Sequence, residues 1–325
     1  MKLSVAMCTY IGEKYIKEQL ESILNQTLAI DEIIICDDGS NDKTIAILEQ
    51  FQVEYPNKIL LYKNQVNLGS TKNFEKAISI CTGDFIFLSD QDDIWKVNKV
   101  EKVIQHFLAH PSTEAVFTNG DLMDDKNEKT KTNTLWDSVF FIESQLEKPI
   151  NLFKLISSKR NMVTGATLCI KKETKDFILP FPDIKKYYHD EWIAIIIASR
   201  KKLDYLADEL ISYRIHSGQQ IGGKNSVQNI ITQKHLNLSN YVLGNEVPKS
   251  CQDFNQLSKT YFRHYLKFKK VSDNTKDKSP INFKEIAETN LELFKKCDET
   301  LKKANPLFYF FRNLTDKIRG KRQLN

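Results

Sequence analysis

Asp84-Phe85-Ile86-Phe87-Leu88-Ser89-Asp90-Gln91-Asp92-Asp93-Ile94-Trp95 is the stretch on which the fold turns. The apolar run Phe85 to Leu88 ends in three carboxylates, Asp90, Asp92 and Asp93. A short apolar run closed by polar residues reads as a buried strand. Such a strand delivers like charges to its C-terminal edge, which is unfavourable unless something positive sits among them. Hard oxygen ligands suit Mg²⁺ or Mn²⁺, and a diphosphate can supply the remaining ligands. The plainer reading is a solvated acidic turn capping a helix that begins near Lys96. Asp-x-Asp alone does not separate the two.

Upstream, Leu3 to Cys8 is a first apolar run, followed by Thr9-Tyr10-Ile11-Gly12 and by Ile16, Leu20, Ile23 and Leu24 at helical spacing. Glu32 to Cys36 is a second run, closed by Asp37-Asp38-Gly39-Ser40. A helix is predicted next, with Ser40 or Asn41 near its N-cap and Ile45, Leu48 and Phe51 inside. Ile59 to Tyr62 gives a third strand, and Asn67-Leu68-Gly69-Ser70 opens another helix. After the carboxylates, Val97, Val100, Ile104, Phe107 and Leu108 mark a helix and Ala115 to Thr118 a strand. Strands alternating with helices imply an α/β fold with a mostly parallel sheet. Such sheets bind ligands at the carboxyl ends of their strands. Thr9-Tyr10, Asp37-Asp38 and Asp90 to Asp93 all fall at such ends. A dinucleotide-binding domain would need Gly-x-Gly-x-x-Gly after the first strand, where this chain has one glycine, Gly12; a Walker loop is also missing.

Residues 119–160 read as irregular, with a loop or insertion from Asp124 to Thr134 and a helix near Leu152 to Ser157. Thr164-Gly165-Ala166-Thr167 leads into a strand, Leu168 to Ile170. Its small side chains suit either a tight turn or close approach to a ligand. Tyr187-Tyr188-His189-Asp190-Glu191-Trp192 opens the apolar helix Ile193 to Ala198. Carboxylates at a helix N-terminus are favoured by the dipole, the preferred reading of Glu191; Asp190 suits equally a base over a pocket. Strand-like Leu203 to Leu206 and Leu210 to Tyr213 precede Arg214-Ile215-His216-Ser217-Gly218-Gln219-Gln220, where Arg214 and His216 share one face of an extended chain. From Gly223 strand patterns vanish and helical spacing returns. The tail Pro306-Leu307-Phe308-Tyr309-Phe310-Phe311-Arg312, with the basic residues after it, reads as an interfacial membrane helix or as a helix packed on its own domain.

The bulk numbers exclude several classes. Of 325 residues, 41% are hydrophobic and 27% charged, a globular balance. No apolar run reaches the ~18 residues of a membrane span, and the first residues have no signal-peptide shape. Six cysteines without zinc-type spacing suggest reduced thiols in a cytosolic protein. A net charge of +5 does not suggest a nucleic-acid partner.

Taken together, Val5 to Tyr10, Ser22 to Thr27, Asp37 to Ser40, Asn67 to Gly69, Ser89 to Trp95, His189 to Trp192 and Tyr213 to His216 resemble the inverting family-2 glycosyltransferases of GT-A fold. The likeness is greatest to rhamnosyltransferase-like members that build bacterial surface polysaccharides. It covers residues 1–222, with 223–325 a C-terminal helical region. Ile11 departs from the pattern, since the family often has Asn after the Tyr.

The resemblance implies roles. Thr9 and Tyr10 would wall the base pocket, with Asp38 accepting the N3–H of uracil or thymine and Asp37 beside it. Asp90 would reach the ribose or donor sugar, Arg214 the diphosphate, and Lys72, Gln91 and Trp95 complete the donor set. Asp92 would bind Mn²⁺ or Mg²⁺, with His216 as a further ligand and Asp93 a weaker candidate. Asp190 would be the catalytic base, beside an acceptor and sugar pocket of Gly165, Ala166, His189, Glu191 and Trp192. The implied partners are a UDP- or dTDP-sugar and a glycan or lipid-linked glycan acceptor at the cytoplasmic membrane surface, with oligomerisation through the C-terminal helices. Two other classes stay open: a non-catalytic relative that keeps the fold, and a nucleotidyltransferase, which would need a glycine- and arginine-rich loop after the first strand.

Overall fold

The computed structural model describes residues 1–216, 229–275, 279–319 and 321–322. Ser217 to Gln220, the change of pattern at Gly223 and part of the basic tail lie outside the described residues. The chain divides into two compact units, Met1–Phe141 with Met162–Val227, and Ile142–Asn161 with Gln228–Asn325. The second unit thus takes in a segment that the sequence reading left in the first.

The first unit alternates as expected: β1 (Leu3–Thr9), α1 (Ile16–Leu24), β2 (Glu32–Asp37), α2 (Thr44–Glu54), β3 (Ile59–Lys63), α3 (Ser70–Ile80) and β4 (Phe85–Ser89). Then come the two-residue β5 (Ile94–Trp95), α4 (Lys99–Ala109), β6 (Ala115–Met123), β7 (Lys129–Thr134) and the short α5 (Leu135–Ser138). One further helix, α6 (Leu152–Ser158), belongs to the second unit. The first resumes with β8 (Leu168–Lys171), the short α7 (Lys175–Ile178), α8 (His189–Ser199) and β9 (Leu203–Arg214).

The strands form one mixed sheet in the order β3-β2-β1-β4-β8-β6-β9-β5, with β7 on β6. β3, β2, β1 and β4 run parallel. Their register is what assembles a site. Thr9 pairs with Asp37 and Met7 with Ser89, so the carboxyl ends of β1, β2 and β4 share one edge. β9 runs parallel to β6, and its end is crossed by β5, Ile94 pairing with Ser212. That pairing carries Arg214 and His216 to the turn after β4. Every residue of β2 and β6 is buried, as strands covered on both faces require.

Several local expectations change. Residues 129–134 are not loop but strand, antiparallel to β6. The two strands expected between Leu203 and Tyr213 are one, kept continuous by register shifts opposite Thr118 to Gly120. α2 starts at Thr44, not at Ser40 or Asn41, because the Ser40 hydroxyl is taken by Asp37, at 2.6 Å. α4 starts at Lys99, and Val97 and Leu108 are exposed; Val100, Val103, Ile104 and Phe107 form its inner face.

The second unit holds α6, α9 (Asn229–Leu243), α10 (Cys251–Thr275), α11 (Phe283–Ala304) and α12 (Pro306–Ile318). α10 and α11 are antiparallel: Ser258 bonds Asp298, Phe262 meets Phe294 at 4.9 Å, and Phe268 stacks on Phe283. Asn290 donates to the Ser157 carbonyl, tying α11 to α6. α12 is capped by Asn305, starts with proline, and folds back so that Arg312 forks Asp298 at 2.8 and 2.7 Å. All six cysteines are free.

Candidate active site

The turns after β1 and β2 lock together through carboxylates. Asp37 accepts from Gly39 N and Ser40 N on Oδ1, and from the Thr9 and Ser40 hydroxyls on Oδ2. A carboxylate has about four lone-pair sites, so Asp37 is saturated. Asp38 accepts from the Asn64 amide and Leu68 N on Oδ1 and from Gly69 N on Oδ2, which leaves room for one more donor. Of the two, only Asp38 keeps capacity to read a ligand N–H. Tyr10 is 43% exposed beside them, and Gln91 clamps it by accepting from its N–H at 2.8 Å and donating to its carbonyl at 3.0 Å. Gly12 permits the clamp, since a Cβ there would lie 2.3 Å from the Gln91 oxygen.

The turn after β4 gathers the remaining charge. Desolvation, then Asp92 and Asp190, push Asp90 up to about 7, with Lys99 opposing. Asp93 is 1% exposed; its Oδ1 accepts from Arg214 N and its Oδ2 has no partner among the described residues. Burial, Asp92 and Asp90 drive it well above the usual carboxylate range. The Tyr213 phenol, raised first by burial, is also raised by Asp93, Asp90, Asp92 and Asp190, so all four carboxylates are within electrostatic reach of it. Asp38 and Asp90 both act on the Cys8 thiol, which links the base-side turn to the same end of the sheet.

The structure divides the expected residues. Asp190 is half-buried in the first turn of α8, its Oδ1 accepting from Glu191 N at 2.7 Å. His189 is buried, stacked on Phe74 at 4.0 Å, and held neutral by burial, which lowers its pKa to about 3. Gly165 packs against its Nε2, where a Cβ would come within 2.7 Å. Ala166, Glu191 and Trp192 are buried; the Trp192 indole donates to the Ile178 carbonyl. Lys72 donates to Glu75 and to the Phe181 carbonyl. Trp95 is interior, packed on Phe87.

Arg214, expected to face a diphosphate, is wholly buried. It donates to the Asp92 and Asp124 carbonyls, to Asn127 and to Glu18, and it lies 4.3 Å over the Tyr15 ring. With its fork engaged by these protein acceptors, Arg214 braces the Asp92 backbone.

Two residues escaped the sequence reading. Gln19 is fully buried and donates to Ser89 Oγ and to the Asp90 carbonyl. Lys99 is fully buried, donates to the Ala166 carbonyl at 2.9 Å and lies 3.8 Å over the Trp95 ring. Burial brings it down to about 7, against Asp93 and Asp90. The signal was available in both cases, a polar residue on the apolar stripe of a helix.

Asp92 and His216 are the residues that could hold a metal. Asp92 Oδ2 and His216 Nε2 are 2.9 Å apart. Neighbouring ligands of an octahedral ion with bonds of ~2.1 Å are separated by about 3 Å, so the pair has the right spacing. The raised Asp90 and the orphaned Asp93 oxygen mark a region short of positive charge, where a divalent cation fits the donor set.

Comparison with known proteins follows from this geometry. The sequence profile of the family described as Glycosyl transferase family 2 matches residues 4–164, which leaves Asp190 and His216 beyond it. The chain is 30% identical over 223 residues to an uncharacterized glycosyltransferase of Methanocaldococcus jannaschii, covering 66% of this chain and 70% of that protein. It is also 30% identical to the dTDP-rhamnosyl transferase RfbG of Shigella flexneri, covering 66% of this chain and 73% of that one. Among solved structures, S. aureus TarS 1-349 in complex with UDP-GlcNAc is similar in fold, with a TM-score of 0.55 at 16% identity over 94% of this chain and 92% of that chain.

Proposed function

Since the chain belongs to glycosyl transferase family 2 and has the GT-A fold, we propose that it is an inverting enzyme moving a sugar from a UDP- or dTDP-sugar to a hydroxyl of a bacterial cell-surface glycan. What supports this reading is that Asp90, Asp92 and Asp190, from two separate segments, all act electrostatically on Tyr213 near the end of β9.

In this reading the pyrimidine lies against Thr9 and Tyr10, and its N3–H goes to the open site on Asp38. A dTDP-sugar donor in the Shigella relative is in line with a pyrimidine base. Asp92 and His216 would hold Mn²⁺ or Mg²⁺, which when bound neutralises charge on the departing diphosphate. Arg214 and Gln19 fix the backbone on either side of that carboxylate turn. Asp190 takes the proton of the acceptor hydroxyl as it attacks the anomeric carbon; direct displacement inverts that centre. Neutral, buried His189 and Gly165 support the start of α8, which carries the base. The acceptor is read as a lipid-linked glycan, with α12 resting on the cytoplasmic face of the membrane.

A panel of nucleotide sugars, read by release of the nucleoside diphosphate, tests the proposal. A pyrimidine donor is expected to be turned over, and Asp190→Asn to lower turnover by ~10²-fold or more while donor binding stays. Full activity in Asp190→Asn would require another base, and no turnover of any donor would remove the enzymatic reading.

A further inference from the structure

A second constellation lies at the opposite end of the sheet. Asp204 is near the start of β9 and Arg214 at its end. Ten residues of strand at ~3.3 Å each separate the two by roughly 33 Å. His106 stands in the last turn of α4 and His110 at its C-cap, four residues further on. Their rings stack at 4.3 Å and 29°. His106 Nε2 lies 2.8 Å from Asp204 Oδ2. One ligand atom from each of His106, His110 and Asp204 lies within 4.8 Å of the others, the one such group of three found among the described residues.

The surroundings orient these atoms. His110 Nδ1 is 3.0 Å from the His106 carbonyl, a contact only an N–H can make, so the lone pair falls on Nε2. Tyr205 N donates to Asp204 Oδ1 at 2.9 Å and leaves Oδ2 for the imidazole side. Fixing a tautomer by a backbone carbonyl, and one carboxylate oxygen by a backbone N–H, is how outer partners orient metal ligands. Two imidazoles and a carboxylate from a helix and the neighbouring strand make three ligands with a fourth position open to solvent.

We propose that His106, His110 and Asp204 form a binding site for Zn²⁺ or a similar borderline divalent ion, separate from the donor cleft and clamping the end of α4 to the start of β9. Imidazole nitrogen favours such ions, whereas the carboxylate-rich cleft suits Mg²⁺ or Mn²⁺.

The full chain, stripped with EDTA, is dialysed against micromolar Zn²⁺ and desalted, and its metal content is measured. Asp92→Ala removes the cleft as a competing site. Wild type and Asp92→Ala are expected to retain one zinc each, and His110→Ala combined with Asp92→Ala to retain none. Zinc should raise the melting temperature of Asp92→Ala but not of the double variant. Co²⁺ should give tetrahedral absorption bands that vanish with His110→Ala. His110 is exposed, so its loss leaves the packing intact; Asp204→Asn provides an independent second removal. No zinc retained by Asp92→Ala, or equal zinc with and without His110, overturns the proposal and leaves a plain His–Asp ion pair.

Discussion

Ile11 sits in the turn after β1 with φ of 51°, where L-residues other than Asn and Gly are strained. The conformation is fixed from both sides: Ile11 N donates to Ser40 Oγ and Gly12 N to Thr44 Oγ1. An Asn at this position would relax the strain, which gives a physical reason for the Asn of the family pattern but none for the Ile here. Ile11→Asn is expected to stabilise the protein by about 1 kcal/mol, seen as a higher melting temperature with donor affinity retained; an unchanged or lower melting temperature would count against this account. Gly165 makes the converse case. Its missing Cβ leaves room for the His189 ring, which cannot retreat because Phe74 stacks behind it. Gly165→Ala should therefore displace the start of α8 and lower kcat by up to ~10²-fold, with donor KM little changed. An equal loss in donor binding would point to general unfolding instead. At this scale the acidic residues were legible because strand ends are legible, and the burial of Arg214 was not, because sequence shows a guanidinium but not its acceptors. Gln19 and Lys99 stand among the apolar positions of their helices, and sequence does not show which partners their polar ends meet.

Elements hold these residues in register, and the first half of the sheet shows how. Glu32, at the start of β2, is 5% exposed and bridges β2 to β1 and to the turn before β4. It accepts from Ser4 Oγ at 2.6 Å and from Thr82 N and Oγ1 at 2.5 and 2.7 Å, and pairs with Lys2 at 2.7 Å. Burial alone would raise its pKa, but the bonds from Lys2, Ser4 and Thr82 prevail and hold it at about 2. A lowered carboxylate pKa contributes stability that is present above the unfolded value near 4.5 and fades as pH falls from there toward 2. The full contribution is about 3 kcal/mol. Glu32→Gln should thus destabilise the protein at pH 7 and flatten the acid limb of a stability–pH curve; a parallel limb would show that other groups govern it. Strands of this half were legible as apolar runs. β7 was not, since Lys-Thr-Lys-Thr-Asn-Thr offers no apolar alternation and only its threonines favour extended chain. The continuity of β9 was hidden because Asp208 and Glu209 interrupt its apolar pattern, whereas the bulged pairing with β6 carries the strand through.

At the scale of the whole molecule, the helical second unit carries a run of exposed apolar side chains on one helix. On α12, Leu307, Phe310, Phe311, Leu314 and Ile318 are 68%, 61%, 57%, 45% and 77% exposed. Their spacing puts them on one face, while Arg312 and Asp316 on the other face are buried. Lys302 and Lys303 at the end of α11, and Lys317, Arg319 and Lys321 at the end of α12 and after it, are exposed as well. No helix among the described residues is long and apolar enough to cross a membrane. An apolar face accompanied by exposed bases is what an anionic lipid surface would bind in the membrane reading proposed above. Fully burying one such side chain is worth ~1.5–3 kcal/mol, so losing two should weaken binding markedly. Phe310→Ser with Phe311→Ser is expected to abolish flotation with anionic vesicles while donor turnover in solution is kept, and removal of residues 306–325 to free the protein from membrane fractions. High salt should weaken the wild-type association without abolishing it, because the exposed bases are screened and the apolar face is not. Unchanged flotation of the double variant would assign the stripe to another occupant, a second copy of the chain, which sedimentation equilibrium would then reveal as a dimer.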